Sequence, residues 1–488
     1  MTILEEWDKV SRVEENPGDG GVGMRAGWPR IEVGTPGRLV VCGLVVLLAG
    51  RLAHLEAAER PNIILVITDD QRFDALGCMG NPVLKTPHID GLAARGTLFT
   101  HSFCTTSICA TSRASFLTGQ YAMRHGVRGF RQPLTESQWR DAFPVLLRRA
   151  GYRTAMIGKW GLGGPLPRKR YDVFQGFSGQ GRYYPKPAGK GPHLTHRLGQ
   201  QVIDFLETCD DDKPFLLQYY TKAAHCQAGD PWPFQPDHRY DRLFADIDVP
   251  KATTATASHF ARLPKFLQES EARRRWKIRF ADPAMYQKSV KDYYRLVTGV
   301  DDVIGRMVSL LKKKELFGNT VIIFTSDNGF YLGEHGLAGK WFMHEESIRL
   351  PLVICDPRLP RKGTGHRVSE PALNIDIAPT ILELAGLSAP AAVQGRSLVP
   401  LLQRRQVAWR TEFFYEHPFR HPRIPMTEGV RGLRWKYVRY TSLDPVVEEL
   451  YDLETDPREE KNLAKDRQFA GRLAEQRGKW QKWRNRVK

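Results

Sequence analysis

Several things are scarce in this sequence, and each absence narrows the possibilities. No apolar run is long enough for a comfortable membrane span: residues 39–50, L-V-V-C-G-L-V-V-L-L-A-G, fall well short of the ~20 residues a spanning helix needs. Cysteine is sparse, with seven in 488 residues. With Cys42 leaving in a cleaved leader and Cys109 set aside, the remaining five show no framework spacing, which excludes a disulfide scaffold. No internal repeat is visible, and neither zinc-finger spacing nor an RNA-binding aromatic motif occurs, which ranks nucleic acid low as a partner. Acidic residues fall short of basic ones, 54 against 72, leaving a net charge of +18. That balance points to an anionic partner such as an acidic surface or a sulfated polymer.

What is present is ordinary for a globular protein: 41% hydrophobic and 26% charged residues, in a chain long enough for a large core and more than one domain. The run at 39–50 follows Arg38 and precedes the small residues Ala57 and Ala58, the arrangement of a secretory signal core with a cleavage point. We therefore expect residues 1–58 to be a leader, with Met24 as an alternative start, and the mature protein to be periplasmic or secreted.

Ile63 to Thr68, Thr154 to Ile157, Phe215 to Tyr220, Val321 to Thr325 and Leu352 to Ile354 are short apolar runs that read as strands buried on both faces. Helical patterns fall between them, as at Leu198 to Leu206 and Tyr293 to Lys313, and Asp376 is placed to cap a helix over Ala378 to Leu384. A further helix is expected after an exposed turn at Cys109, continuing through Ser115 to Leu117. Gln227 to Ala281 reads as a surface excursion with little regular structure, and Arg273-Arg274-Arg275 within it as a solvated helix face. Beyond Leu402 short aromatic strands alternate without long helices between them, which predicts an antiparallel sheet before a basic terminal helix. The expected fold is α/β: a large, mainly parallel sheet sandwiched by helices over 59–402, and a smaller antiparallel subdomain over 403–488.

Two of the core strands end in oxygen-rich pairs, Asp69-Asp70 and Asp327-Asn328. Open α/β sheets place ligands at such ends, and a parallel sheet brings these four donors together around a hard divalent cation. Cys109, Arg113, Lys159, His225 and Lys340 crowd the same rim, where Arg113 and the lysines fix an anion and Lys or His protonates a leaving oxygen. Taken singly, each has a plainer reading: Cys109 as a structural thiol, Lys159 as a surface charge, His225 as a loop residue.

The pattern as a whole is more specific. Cys109 to Gly119, C-A-T-S-R-A-S-F-L-T-G, resembles the motif of the type I, formylglycine-dependent sulfatases, whose fold is that of the alkaline phosphatase superfamily. It matches at Cys109, Ser112, Arg113, Leu117, Thr118 and Gly119, and departs at Thr111, where the family has Pro or Ala. D-D-Q-R-F-D-A-L-G at 69–77 and T-S-D-N-G at 325–329 resemble the family's metal segments. L-G-E-H-G-L-A-G-K at 332–340 resembles the segment carrying its second sulfate-binding lysine.

The resemblance implies hydrolysis of a sulfate ester on a carbohydrate.

 The implied nucleophile is a formylglycine made from Cys109 by a maturation enzyme; its hydrate attacks sulfur, the alcohol leaves, and loss of the second hydroxyl proton expels sulfate from the sulfated enzyme. The resemblance also implies Ca²⁺, with Mg²⁺ as the alternative, on Asp69, Asp70, Asp327 and Asn328. Arg113 steadies the hydrate, Lys159 and Lys340 hold the sulfate with His225 also against the substrate, and His225 or Lys340 assists the leaving group. One departure concerns Gly158-Lys159-Trp160-Gly161, where the family has Gly-Lys-x-His; His125 is a candidate stand-in for the missing histidine. Two other functions stay open at this point: a phosphatase or phosphonate monoester hydrolase of the same superfold, and a non-catalytic binder of sulfated polymers.

Overall fold

A computed structural model of the chain describes residues 60–185, 190–227, 232–360 and 365–488. The leader and its apolar run lie outside these residues. Among the described residues, no helix is long and apolar enough to cross a membrane.

The main sheet has eight strands: β1 (Asn62–Asp69), β2 (Thr97–Phe99), β3 (Arg153–Lys159), β4 (Val173–Phe177), β5 (Phe215–Ala224), β6 (Thr320–Ser326), β7 (Leu352–Cys355) and β8 (His366–Val368). Their spatial order is β8-β2-β7-β6-β1-β5-β3-β4. The five strands from β6 to β4 run parallel to their neighbours, while β7 is antiparallel to both β6 and β2. The sheet is therefore mixed but mostly parallel, as expected. The central strands are buried along their whole lengths, which is why they read as continuous apolar runs rather than alternating ones. Along β1, Ile63, Leu65 and Ile67 enter one core, while Ile64 and Val66 enter the other. Each such side chain contributes roughly 1.5–3 kcal/mol of burial.

Helices α1 (Pro87–Arg95), α3 (Leu194–Glu207) and α5 (Pro283–Lys313) cover the second core, and α2 (Cys109–Thr118) covers the first. A separate antiparallel sheet follows in simple order: β9 (Glu412–His417), β10 (Thr427–Gly432), β11 (Trp435–Tyr440) and β12 (Val447–Asp452). The terminal helix α6 (Ala470–Arg486) is tied to it by Trp480 donating to Glu428 and Trp483 donating to Glu412, each at 2.9 Å. Fully buried Lys436 stands 2.8 Å from both Glu345 and Glu459 and joins this sheet to the chain that leaves the main one.

Three expectations are corrected and one is refined. The helix of the cysteine motif does not follow an exposed turn: α2 begins at Cys109 itself, and that residue is 1% exposed. Asp376 precedes the helix Ile377–Leu384 but makes no side-chain cap. Its carboxylate instead accepts the backbone N–H groups of Leu373 and Arg396 and pairs with Arg410. The stretch 227–281 is mostly irregular, as expected, but its later part is helical at Ala257–Arg262, Lys265–Gln268 and α4 (Glu271–Lys277). Local capping explains two of these: Thr256 accepts from His259 N–H, and Ser270 accepts from Arg273 N–H. Nor are the three arginines simply solvated. Arg274 and Arg275 pair with buried Glu271, and the Arg273 guanidinium lies 3.9 Å from the ring centroids of both Phe260 and Trp276.

Candidate active site

Strands β1 and β6 are hydrogen-bonded neighbours with Thr68 opposite Ser326, so the residues that follow leave the sheet side by side. Asp327 N–H donates to Thr68 O at 3.0 Å, and Asp70 N–H donates to Asp327 Oδ1 at 3.2 Å. Asp70 turns sharply there, with φ of +60°, a conformation that Asp tolerates better than most residues. Asn328 Nδ2 donates to Asp70 Oδ1 at 2.6 Å. Two adjacent pairs, more than 250 positions apart in the chain, thus form one buried cluster of oxygens.

Cations converge on it from three directions. From α2, the wholly buried Arg113 donates Nε to Asp327 Oδ2 at 2.9 Å and approaches Asp69 Oδ2 at 3.5 Å. Its Nη1 reaches Lys159 O at 2.5 Å, and the guanidinium lies 5.4 Å from the Tyr220 ring centroid. Lys159, the last residue of β3, places its ammonium on Asp69 Oδ2 and donates to Gln180 Oε1 at 2.6 Å. Lys340 places its ammonium on Asp70 Oδ1. His225, just past β5, sets Nε2 3.6 Å from Asp70 Oδ2, while Nδ1 meets Cys226 O at 2.6 Å. Cys109 opens α2, and Ser112 one turn later anchors that helix by donating to Asp327 O at 2.6 Å. The structure therefore gathers every residue that the sequence nominated at the strand ends and rim.

The electrostatics follow from burial against charge. Burial raises the pKa of Asp69, but Lys159, His225, Lys340 and Arg113 outweigh it and hold the carboxyl well below its ordinary range. Asp70 and Asp327 go the other way. Burial raises both, against the pull of Lys340 on Asp70 and of Arg113 on Asp327, and Asp327 reaches about 6. Burial lowers His225 well below an ordinary imidazole, and it raises the Cys109 thiol despite the nearby lysines.

A cation fits this donor set. Asp69 Oδ1 and Asn328 Oδ1 are buried acceptors without a hydrogen-bond donor, a costly arrangement that a bound ion removes. The set is rich in oxygen, which suits a hard divalent ion. Ligand atoms of Asp69, Asp70 and His225 all lie within 4.8 Å of one another. Asp327 joins that group through Asp70 N–H and through Arg113.

Two glycines and one histidine clarify the G-K-W-G segment. At Gly158, with φ of +106°, a Cβ would stand 2.0 Å from Tyr220 O, so no side chain fits. At Gly161, with φ of +83°, a Cβ would stand 2.7 Å from Arg113 Cδ. The residue that replaces the family's histidine thus lies against the arginine stem. His125 is no stand-in: its ring nitrogens bond Ser115 Oγ and Val127 N–H at 3.1 Å each, and neither reaches the cluster. Sequence reasoning also missed neighbours of the site. Gln180 holds Lys159 from a Gly-rich loop with no distinguishing signal. Buried Lys222, near the end of β5, has its pKa lowered to about 8 by burial and by Lys159. Its position just before His225 on a buried strand was the one available signal.

Comparison with known proteins agrees with this geometry. The family described as Sulfatase matches residues 61–387, and the one described as N-sulphoglucosamine sulphohydrolase, C-terminal, matches residues 333–485. An N-acetylglucosamine-6-O-sulfatase of Bacteroides thetaiotaomicron is 31% identical over 487 residues, covering 86% of this chain and 85% of its own. A structure solved with its substrate D-glucosamine-2-N,6-O-disulfate has a TM-score of 0.74 at 29% identity, covering 88% of this chain and 98% of its own. A phosphonate monoester hydrolase from Silicibacter pomeroyi shares the fold with a TM-score of 0.76 at 23% identity, covering 88% and 96%.

Proposed function

The chain belongs to the sulfatase family, and from that premise we propose that it hydrolyses a sulfate ester on a saccharide at the Cys109 cluster. The observation that carries the proposal is the convergence of Arg113, Lys159 and Lys340 on the carboxylates of Asp69, Asp70 and Asp327, beside a buried Cys109. Three cations balance the three carboxylates here, and a bound divalent ion would add the positive charge that suits an anionic ester head group.

The thiol itself is a poor nucleophile here, because burial raises its pKa and keeps it protonated at neutral pH. This supports the reading that Cys109 acts after oxidation to formylglycine by a maturation enzyme, which supplies a hydrated aldehyde in place of sulfur. A divalent cation, calcium in this reading, would be held by Asp69, Asp70, Asp327 and Asn328 and would draw charge from the sulfate oxygens.

The remaining work falls to side chains. Lys159 and Lys340 bind the sulfate oxygens; Gln180 orients the first and Asp70 holds the second. Arg113, fixed by Asp327 and by Lys159 O, orients residue 109. His225 stands beside the cluster where it can donate to the leaving oxygen; burial holds its pKa well below an ordinary imidazole, so that role requires the negative charge of a bound ester to restore its proton. Asp70 and the other carboxylates raise the pKa of Lys340 despite burial, so it keeps its proton and serves as a fixed charge. The run at 39–50 supports export to the periplasm or beyond.

The test is turnover of nitrophenyl sulfate. The wild-type chain should cleave it in preference to nitrophenyl phosphate, and Cys109→Ala should abolish cleavage while leaving the fold intact. Preference for the phosphate would favour a phosphatase of the same fold. An unmodified thiol in the mass of the peptide spanning Cys109, with no sulfate released, would favour a non-catalytic binder.

A further inference from the structure

Apart from the carboxylate cluster, a groove of about 1060 Å³ lies between α4 and the loop 420–426. Five cations line it, Arg273, Arg274, Lys277, Arg420 and Arg423, against the single carboxylate of Glu269. These charges differ in how they are held. Arg274 is neutralised by Glu271 at 2.7 Å. Arg273 is clamped between Phe260 and Trp276, with Nη1 on Gly336 O at 3.0 Å, and is presented as a rigid donor. Lys277, Arg420 and Arg423 are exposed, and among the described residues no carboxylate pairs with them. Phe266, Pro425 and Leu443 supply apolar wall between the charges, a surface on which the face of a sugar ring can lie.

Both walls lead to the cluster. Helix α4 packs against Ala338–Gly339, the pair immediately before Lys340. The other wall follows β9, whose Tyr415 hydroxyl bonds Ser107 Oγ at 2.8 Å, two residues before Cys109, and Trp341 O at 3.2 Å. From His417 at the end of β9, contacts between rings run to Phe419 and on to His421 in the groove. Charge, size and position agree on one occupant. We propose that the groove binds a second anionic group, a sulfate or carboxylate on a sugar unit beyond the one whose ester is cleaved, so that the natural substrate is a polyanionic oligosaccharide. This deepens the proposed sulfatase reading and rests on it for the cleavage step, whereas binding in the groove can be measured without cleavage.

The experiment compares wild type with the triple variant Lys277→Ser, Arg420→Ser, Arg423→Ser, which removes only exposed side chains. With a heparin-derived tetrasaccharide as substrate, KM should rise about tenfold in the variant, with kcat retained. Kinetics on nitrophenyl sulfate, too small to reach the groove, should not change. Binding of the same tetrasaccharide to Cys109→Ala should weaken with added salt, and should weaken less steeply once the three cations are removed. Equal KM values for the tetrasaccharide in wild type and variant would overturn the proposal. So would single-stranded DNA binding as tightly as the tetrasaccharide, which would reveal a surface selective for charge alone. Were nitrophenyl sulfate not cleaved at all, the sulfatase reading would fail, and the binding measurement would still decide the groove.

Discussion

Replacing Gly161 by alanine tests whether the site tolerates any side chain at the position where the resembled Gly-Lys-x-His motif has histidine. Two costs are legible. A φ of +83° is left-handed, which costs an L-residue roughly 1–2 kcal/mol. The new methyl would also stand 2.7 Å from Arg113 Cδ and 3.1 Å from its Nε. Carbon atoms pack at ~3.5–4.0 Å, so something must move, and forced packing of this kind costs about 1–3 kcal/mol. Against this, loss of glycine freedom in the unfolded chain returns about 0.4–1 kcal/mol. Arg113 cannot yield cheaply, because its guanidinium is committed to Asp327 and to Lys159 O. The net expectation is a loss of about 2–4 kcal/mol. Turnover should fall more than binding, because the displaced group orients residue 109. Urea unfolding reads the first quantity, and steady-state turnover of nitrophenyl sulfate the second. Gly161→His should be no better, although it restores the Gly-Lys-x-His motif. If either variant matched wild type in both stability and turnover, the argument from crowding at Arg113 would be wrong.

Two further outcomes are expected. Treatment with EDTA should abolish turnover and lower the melting temperature, and Ca²⁺ should restore both; full activity in the chelator would remove the metal from the account. Glu416 is buried, with Oε1 accepting from Met123 N–H at 3.0 Å and Oε2 without a partner, and burial pushes its pKa up to about 8. The folded state therefore keeps a proton that the unfolded chain releases above about 4.5. Stability from this group is complete below that pH and is lost as pH rises to about 8. Glu416→Gln should accordingly stabilise the protein at pH 8, by on the order of 2–4 kcal/mol, and flatten this part of the pH profile. An unchanged denaturation midpoint at pH 8 would refute that assignment.

The sequence by itself determined the layered fold and the inventory of the site. Strands buried on both faces need apolar residues throughout, so β1, β5 and β6 declare themselves as runs, and the polar pairs that end β1 and β6 stand out against them. The short strands β2, β4 and β8 carry three to five residues each and could not be read, because their place is set by a neighbouring strand rather than by a pattern of their own. The helices Ala257–Arg262 and Lys265–Gln268 were missed because prolines and charges mask segments only one or two turns long. Only the tertiary structure decided the arrangement. The parallel register of β1 and β6 brings distant carboxylates within hydrogen-bonding range, and packing, not local propensity, buries Cys109 at the head of α2. Packing also sets Gly161 against the Arg113 stem, recruits Gln180, and joins α4 to the chain beyond β9 as one basic groove. Those relations are distances between residues far apart in the chain. Local chemistry names the groups, but only the folded backbone determines which of them meet.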